Sequence, residues 1–291
     1  MPSLKEIRNR ISSVGSTMQI TSAMKMVSAA KLKRAQDAIT QMRPYAEKLQ
    51  DILGNLTGSL DISENAYAEV RPVEKVLVIA LTSNRGLCGG FNNNIIKRVN
   101  TLVYNEIGEA SPSIITLGKK VKDTFRKTPL YYINDTIAPV EDIFSNLSFE
   151  NVSVIAQDAM DRFKNKEFDK VVVVYNKFKN AATQEVTVEQ LLPIIPTVSA
   201  EDTSEVEYIF EPSKKEIVEE LIPKSLKIQL YKAVLDSNAA ENGARMTAMH
   251  KATDNAKELQ KSLKLSYNKA RQAAITNEIL EIVGGAEALK S

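Results

Sequence analysis

The sequence predicts an α/β chain of unusual form: a long antiparallel two-helix coiled coil made by its N- and C-terminal segments, with a mostly parallel α/β domain inserted between them. Three observations predict it. Apolar residues recur at three- and four-residue steps over residues 3–58 and again over about 224–283. The stretch 73–195 changes to short β-branched runs alternating with amphipathic ones. At ~1.5 Å per residue, helices of these lengths would span on the order of 80–90 Å, while a domain of this size is only about half as wide. Each must therefore be covered by the other. The segments are bounded at 1–58, 73–195 and 207–291.

In the first helix, Ile7, Ile11, Val14 and Met18 step along one face. Ile20, Met24 and Val27 repeat the step on a shifted face, and Ala35, Ala38, Met42, Tyr45, Leu49, Ile52 and Leu56 continue it. The changes of face predict a seam that winds around the helix instead of keeping strict register. Ser3 and Glu6 have the spacing of a capping box. Pro44 predicts a kink, and Gly54 and Gly58 are candidate stops.

At the other end, "FEPSKKEIVEELIP" reads as a short lead-in closed by Pro223. A long helix follows, with a seam through Met249, Ala252, Ala256, Leu259, Leu263, Ser266, Ala270, Ala273, Asn277 and Leu280, and with Gly284 and Gly285 weakening its last turn. In the middle, residues 75–82, 112–118, 129–134 and 169–178 read as strands, and 186–194 as an antiparallel edge strand. Residues 91–108, 119–127 and 147–166 read as helices. A polar linker over 196–206 leads to a last short strand, "EVEYIF".

With no tryptophan and 6% aromatic residues, the composition fits helices packed through Ala, Leu and Met better than a large β-sandwich. The single cysteine rules out an internal disulfide framework. No apolar run approaches a membrane span. The basic, amphipathic start "MPSLKEIRNRISSVG" continues smoothly into the first helix, so it is expected to be mature structure of an untargeted bacterial chain. Charge is unevenly spread: residues 1–50 carry nine Lys/Arg against three acids, 245–275 seven against two, and 199–220 two against eight. Nucleic acid is disfavoured for the basic segments, because aromatic residues are not interleaved with them. A solvated face and a protein partner with acidic surfaces stay open. The Ala-, Ser-, Thr- and Met-rich run "STMQITSAMKMVSAAK" suits a surface of many weak, adaptable contacts.

"SNRGLCGGFNNN" (83–94) looks most like a site. Strand, glycines, then helix is the context of an anion cradle. The spacing Gly86-x-x-Gly89-Gly90 fits neither named nucleotide motif, which favours a tight turn, with nucleotide binding and a partner contact as the alternatives. Cys88 as a nucleophile needs a base. The only histidine, His250, lies on the long C-terminal helix at a flanking position. No residues have the spacing of metal ligands. Catalytic, cofactor-binding and metal residues are therefore all expected to be absent. A nucleotide-binding enzyme with helical arms and a coiled-coil adaptor are the rival expectations.

"ITSAMKMVSAAKLKRAQ", "RPYAEKL", "NRGLCGGFN", "ENGARMTAMHKATDNA" and "YNKARQAAITNEILEIVGGAEAL" together resemble the gamma subunits of F-type ATP synthases, at both termini and at the start of the middle segment. The resemblance implies a noncatalytic central-stalk rotor. Its terminal helices would turn inside a ring of alpha and beta subunits, and its Rossmann-like domain would lie near epsilon and the c-subunit ring. It implies beta-subunit contacts at Met24, Arg245, Arg271, Gln272, Thr276 and Glu278. Tyr208 is implied, by position alone, at epsilon or the c ring. It implies a peripheral place on the cytoplasmic face of the bacterial inner membrane, and, with Cys88 alone, no thiol control.

Overall fold

The computed structural model describes residues 3–57, 66–138, 142–194 and 214–288. The elements run α1 (Leu4–Thr57), β1 (Lys75–Leu81), α2 (Phe91–Thr101), a π-helical turn (Leu102–Glu106), β2 (Ser111–Leu117), α3 (Lys119–Phe125), α4 (Phe149–Lys164), β3 (Lys170–Phe178), β4 (Gln184–Leu192) and α5 (Lys214–Ala288). Two compact units result, Met1–Ser28 with Met246–Ser291, and Ala29–Arg245. The long helices α1 and α5 contribute to both.

The first unit is an antiparallel helix pair. Arg8 donates to the Tyr267 hydroxyl at 2.8 Å, Thr253 donates to the Thr21 hydroxyl at 2.8 Å, and Lys25 Nζ reaches His250 Nδ1 at 3.3 Å. Between them, a Cβ on Gly15 would stand 3.1 Å from Gln260 Nε2. At the entry to α1, the Glu6 amide donates to Ser3 Oγ at 3.2 Å, which satisfies one of the donors left over at a helix start.

The covered positions of α1 correct the expected winding seam. Residues 7, 11, 14, 18, 21, 25, 28, 32, 35, 39, 42, 46 and 49 are buried or half-buried, in strict alternation of four and three. Ile20 and Val27 stand outside it, 60% and 57% exposed, and Tyr45 is also exposed. Thr21 and Ser28 occupy the buried positions instead, and Ile39, not Ala38, is the buried member of its layer. From Met249 onward in α5 the covered positions are 249, 252, 253, 256, 260, 263, 267 and 270. Gln260 and Tyr267 thus take the places expected of Leu259 and Ser266, and Thr253 joins Ala252 in the seam. The side chains of Ile52 and Leu56, the stop expected at Gly58, the linker 196–206 and the strand "EVEYIF" lie outside the described residues.

Two further expectations at helix ends are corrected. Pro223 does not close a lead-in, because α5 runs through it. Proline removes one rung of the helix ladder, but Ile222 and Leu226 on either side are buried in the main core and anchor the helix across the gap. α1 likewise continues past the candidate stop Gly54 to Thr57, with Pro44 inside it, and α5 runs past Gly284 and Gly285 to Ala288.

The second unit carries a four-stranded sheet in the order β2-β1-β3-β4. β1 pairs parallel with both β2 and β3, and β4 closes the edge antiparallel to β3. β1 and β3 are apolar on both faces, as strands covered from both sides must be. On one face Leu77, Ile79, Val171 and Val173 pack under α4 and the first part of α5, with Phe163 fully enclosed. On the other, Val76, Val78, Val172 and Val174 pack under Ile95 and Val99 of α2 and Val121 and Phe125 of α3. The expected strand over 129–134 is reduced to a single bridge, Ile114 with Tyr131. The chain turns away there because Asn134 caps the next turn, accepting from the Ile137 amide at 2.8 Å and donating to Asp158 at 3.0 Å.

Arg71 ties the chain ahead of β1 to the α4–β3 corner. Its guanidinium stacks over the Phe163 ring at 4.5 Å and donates to Asp169 at 2.7 Å and to the Phe163 carbonyl at 2.8 Å. Asp169 also accepts from the Lys75 and Glu74 amides, at 2.9 Å and 3.0 Å.

Candidate functional site

The glycine stretch is built from β1 outward. Leu81 ends the strand, and Thr82 and Ser83 follow, both buried. Thr82 Oγ1 accepts from the Val121 amide at 3.0 Å, Asn84 Oδ1 accepts from the Lys119 amide at 3.0 Å, and the Ser83 carbonyl accepts from the Lys120 amide at 3.2 Å. The chain's own groups therefore take the amides of Lys119, Lys120 and Val121 at the start of α3. Gly118 makes this closure possible: its φ is +105°, and a Cβ there would lie 2.1 Å from the Thr82 carbonyl oxygen.

The turn itself is tied from inside. Asn92, in the first turn of α2, accepts from the Ser83 amide at 2.9 Å and donates to Cys88 Sγ at 3.1 Å. Ser83 Oγ donates to the Arg85 carbonyl at 2.6 Å. Cys88 is buried with Phe91, Ala240 and Ala244, filling a small apolar space against α5. His250 belongs to the other compact unit. Among the described residues no group of three potential metal ligands occurs. Leu87, at the tip, has φ +63° and stands 64% exposed. A branched residue in the left-handed region costs energy, so its position depends on what holds the turn.

Arg245 holds it. This side chain, 11% exposed, donates to the Arg85 carbonyl at 3.1 Å and pairs with Glu241 at 2.6 Å. Burial raises the Glu241 carboxyl above its ordinary value, opposed by Arg245, Lys31 and Arg85 around it. Gly243, between the two, lets α5 approach the β3–β4 hairpin, where a Cβ would stand 3.2 Å from Ala181 Cα. Arg245 was expected on a partner-facing surface. In the chain its charge is taken up by Glu241 and by the glycine turn. The i, i+4 spacing of Glu241 and Arg245 in "ENGAR" was the signal for this pair.

The other residues implied by the resemblance lie elsewhere. Met24 is half-buried in the first unit, one residue from Lys25 of the seam, near the exposed Ile20, Met26 and Val27. Arg271, Gln272, Thr276 and Glu278 are exposed, and the Thr276 hydroxyl bonds back to the Gln272 carbonyl at 2.9 Å. Every residue from 271 to 286 is exposed, including Ile275, Ile279, Leu280, Ile282 and Val283. Tyr208 lies outside the described residues. No helix among the described residues is long and apolar enough to cross a membrane.

Apolar side chains left bare along the helices define a class: a subunit built to be enclosed by other chains. A family model described as ATP synthase matches residues 3–289. The ATP synthase gamma chain of Flavobacterium psychrophilum is 60% identical over the whole of both chains. The chain belongs to the ATP synthase gamma-chain family. Two solved structures share its fold at lower identity. One is from the Euglena gracilis mitochondrial ATP synthase, OSCP/F1/c-ring (22% identical, TM-score 0.65, covering 98% of this chain and 94% of that one). The other is from the Tetrahymena thermophila mitochondrial ATP synthase, central stalk/c-ring (23% identical, TM-score 0.56, covering 80% and 99%).

Proposed function

We propose that the chain is the noncatalytic central-stalk rotor subunit of an F-type ATP synthase. In this role it turns inside the ring of alpha and beta subunits and couples ion flow through the c-subunit ring to nucleotide chemistry on the beta subunits. The observation that carries the proposal is the run 271–286 of α5, exposed on all sides and rich in Ile, Leu and Val, in a chain of this family. Sixteen successive helical positions without cover make sense as a surface that other subunits enclose.

Met24, Arg271, Gln272, Thr276 and Glu278 meet the beta subunits in this proposal, and Arg245 acts through the turn it holds. Tyr208 faces epsilon or the c ring. The complex keeps the chain peripheral, at the cytoplasmic face of the bacterial membrane. A rotor must bias chemically identical beta subunits differently. A ligand of equal affinity for all conformations shifts none of them. The uneven faces of the helix pair, apolar at Ile20 and Val27 and basic over 245–275, let each orientation favour one beta conformation, and reciprocity lets each conformation favour one orientation.

Co-purification tests this. Tagged chain drawn from its own cell membranes should bring down alpha and beta subunits in a salt-resistant complex, and the paired change Ile279→Ser with Ile282→Ser should weaken their retention. Recovery of the chain without them would end the proposal.

A further inference from the structure

At the edge of the sheet one carboxylate joins three elements. Glu189 of β4 stands opposite Val173 of β3, on the face that also carries Tyr175. Its Oε2 accepts from the Tyr175 hydroxyl at 2.8 Å, and its Oε1 accepts from Gln229 Nε2 of α5 at 2.6 Å. Gln229 Nε2 also lies 3.4 Å from the Gln190 carbonyl. Tyr175 is 3% exposed, and burial, with the Glu189 and Asp236 carboxylates, holds its phenol proton far above the ordinary range. The hydroxyl therefore stays a donor, and both Glu189 oxygens are committed. All of these residues belong to the second compact unit. Around this bond α5 meets the core through Leu226, Leu230, Ala233 and Val234. Apolar burial is non-directional. It holds a helix down without fixing its roll or its place along its axis, and packed helices can slide in shear. A hydrogen bond fixes both, because it weakens steeply away from its distance and angle. Arg245, sixteen positions on from Gln229 and about 24 Å along the helix, makes another directional contact, to the Arg85 carbonyl.

We propose that Glu189 is a positioning residue of the rotor: through Gln229 it keys α5 to the sheet, so that torque entering the domain reaches the long helix without slip. The positioning role rests on the proposed function. The keying of α5 does not. Glu189 and Gln229 are half-buried, where a bond to a charged acceptor keeps more of its strength than on an open surface. Beyond the keyed stretch α5 continues without a break through the exposed run 271–286, so its register on the sheet is carried along the helix.

Three variants test it. Gln229→Leu removes the bond and keeps the bulk. Gln229→Glu sets two carboxylates against each other. Gln229→Glu combined with Glu189→Gln rebuilds the bond with donor and acceptor exchanged, while the amide carbonyl on β4 still accepts from Tyr175. On the full-length chain alone, hydrogen-exchange protection of the amides at 225–233 should fall roughly tenfold in each single variant and recover in the double. In membranes carrying the whole complex, proton pumping per ATP hydrolysed should fall in both single variants and recover in the double. Unchanged protection in Gln229→Leu would overturn the keying. Lost protection with unchanged pumping per ATP, or a double variant no better than Gln229→Glu, would overturn the positioning role. A native chain recovered without alpha and beta subunits would end the rotor proposal and the positioning role with it, while the exchange result on the isolated chain would stand.

Discussion

The inserted α/β domain and the helix pair use apolar residues in opposite ways. In the domain they mark what is inside. Val76 to Leu81 and Val171 to Val174 are buried on both faces of the sheet, and the helices above and below present their own apolar stripes to them. In the helix pair many apolar residues mark what is outside. Ile20, Val27, Leu259 and Leu265 are exposed, while Thr21, Ser28, Thr253 and Gln260 line the seam. A chain that folds for itself hides its hydrophobic surface. A chain that folds to be enclosed shares that surface between its own core and its partners, and polar residues such as Thr21, Ser28, Thr253 and Gln260 then enter its own seam among the apolar ones.

The largest effect should fall in the domain. Arg71 and Asp169 are each 12% exposed in their side chains and 2.7 Å apart. Asp169→Ala leaves a buried guanidinium without its carboxylate and should cost about 3 kcal/mol. Urea unfolding followed by tyrosine fluorescence, convenient in a chain without tryptophan, would measure it. A loss below ~1 kcal/mol would mean that the guanidinium finds other partners. The acid limb should change as well. Burial alone would raise the Asp169 carboxyl, but the Lys75 amide, Arg71 and the Glu74 amide outweigh it and hold it below the ordinary carboxylate range. Because the folded value is the lower one, the stabilisation is complete above about pH 4 and is lost as pH falls through the folded value. Asp169→Asn should flatten that limb.

A middle-sized effect, of opposite sign, belongs to the seam. The Thr253 hydroxyl donates to that of Thr21 and also contacts the carbonyl of Met249, while Thr21 bonds back to Met18. Replacing both by valine keeps the shape and removes both hydroxyls together, so no donor is orphaned. The double variant Thr21→Val with Thr253→Val should stabilise the helix pair by ~1 kcal/mol. A shift in the melting of the helical circular dichroism signal would report it. A destabilised double variant would show that the polar layer holds the pair together and does not thin it.

The same contrast explains what the sequence made legible. The strands could be read because burial on both faces leaves unbroken β-branched runs, and the last of them, β4, is the antiparallel edge strand expected over 186–194. The seam could be read only in part: Ile7, Ile11, Val14, Met18, Leu49, Met249, Ala256 and Leu263 are covered as expected, while the three/four period leads astray at Ile20, Val27 and Leu259, which are exposed. The strand expected at "PLYYIN" failed for a local reason: Asn134 offers the backbone a cap in place of a ladder. Of the candidate site, "NRGLCGG" was legible as a turn from its spacing. The buried role of Arg245 was hidden, because a lone arginine on a basic helix gives no sign that it is enclosed until Glu241 is placed one turn before it.

The smallest effect on the chain itself should be at Met24, and there the two kinds of surface separate most cleanly. Met24 is half-buried beside exposed Ile20 and Val27, so Met24→Ala and Met24→Lys should each change the stability of the isolated chain by no more than ~0.5 kcal/mol. In the assembled enzyme the two should diverge. Alanine only removes an adaptable contact. Lysine adds a cation next to Lys25, in a segment already carrying nine Lys/Arg over residues 1–50, and that cation can clamp a carboxylate on the enclosing ring. Individual exposed ion pairs contribute only about 0–1 kcal/mol, which would suit the proposed contact with the beta subunits, broken at every turn, and one added clamp would be a large fraction of it. ATP-driven proton pumping per ATP hydrolysed should therefore fall further with lysine than with alanine. Equal pumping in both variants would mean that the surface at Met24 is read by its shape and not by its charge.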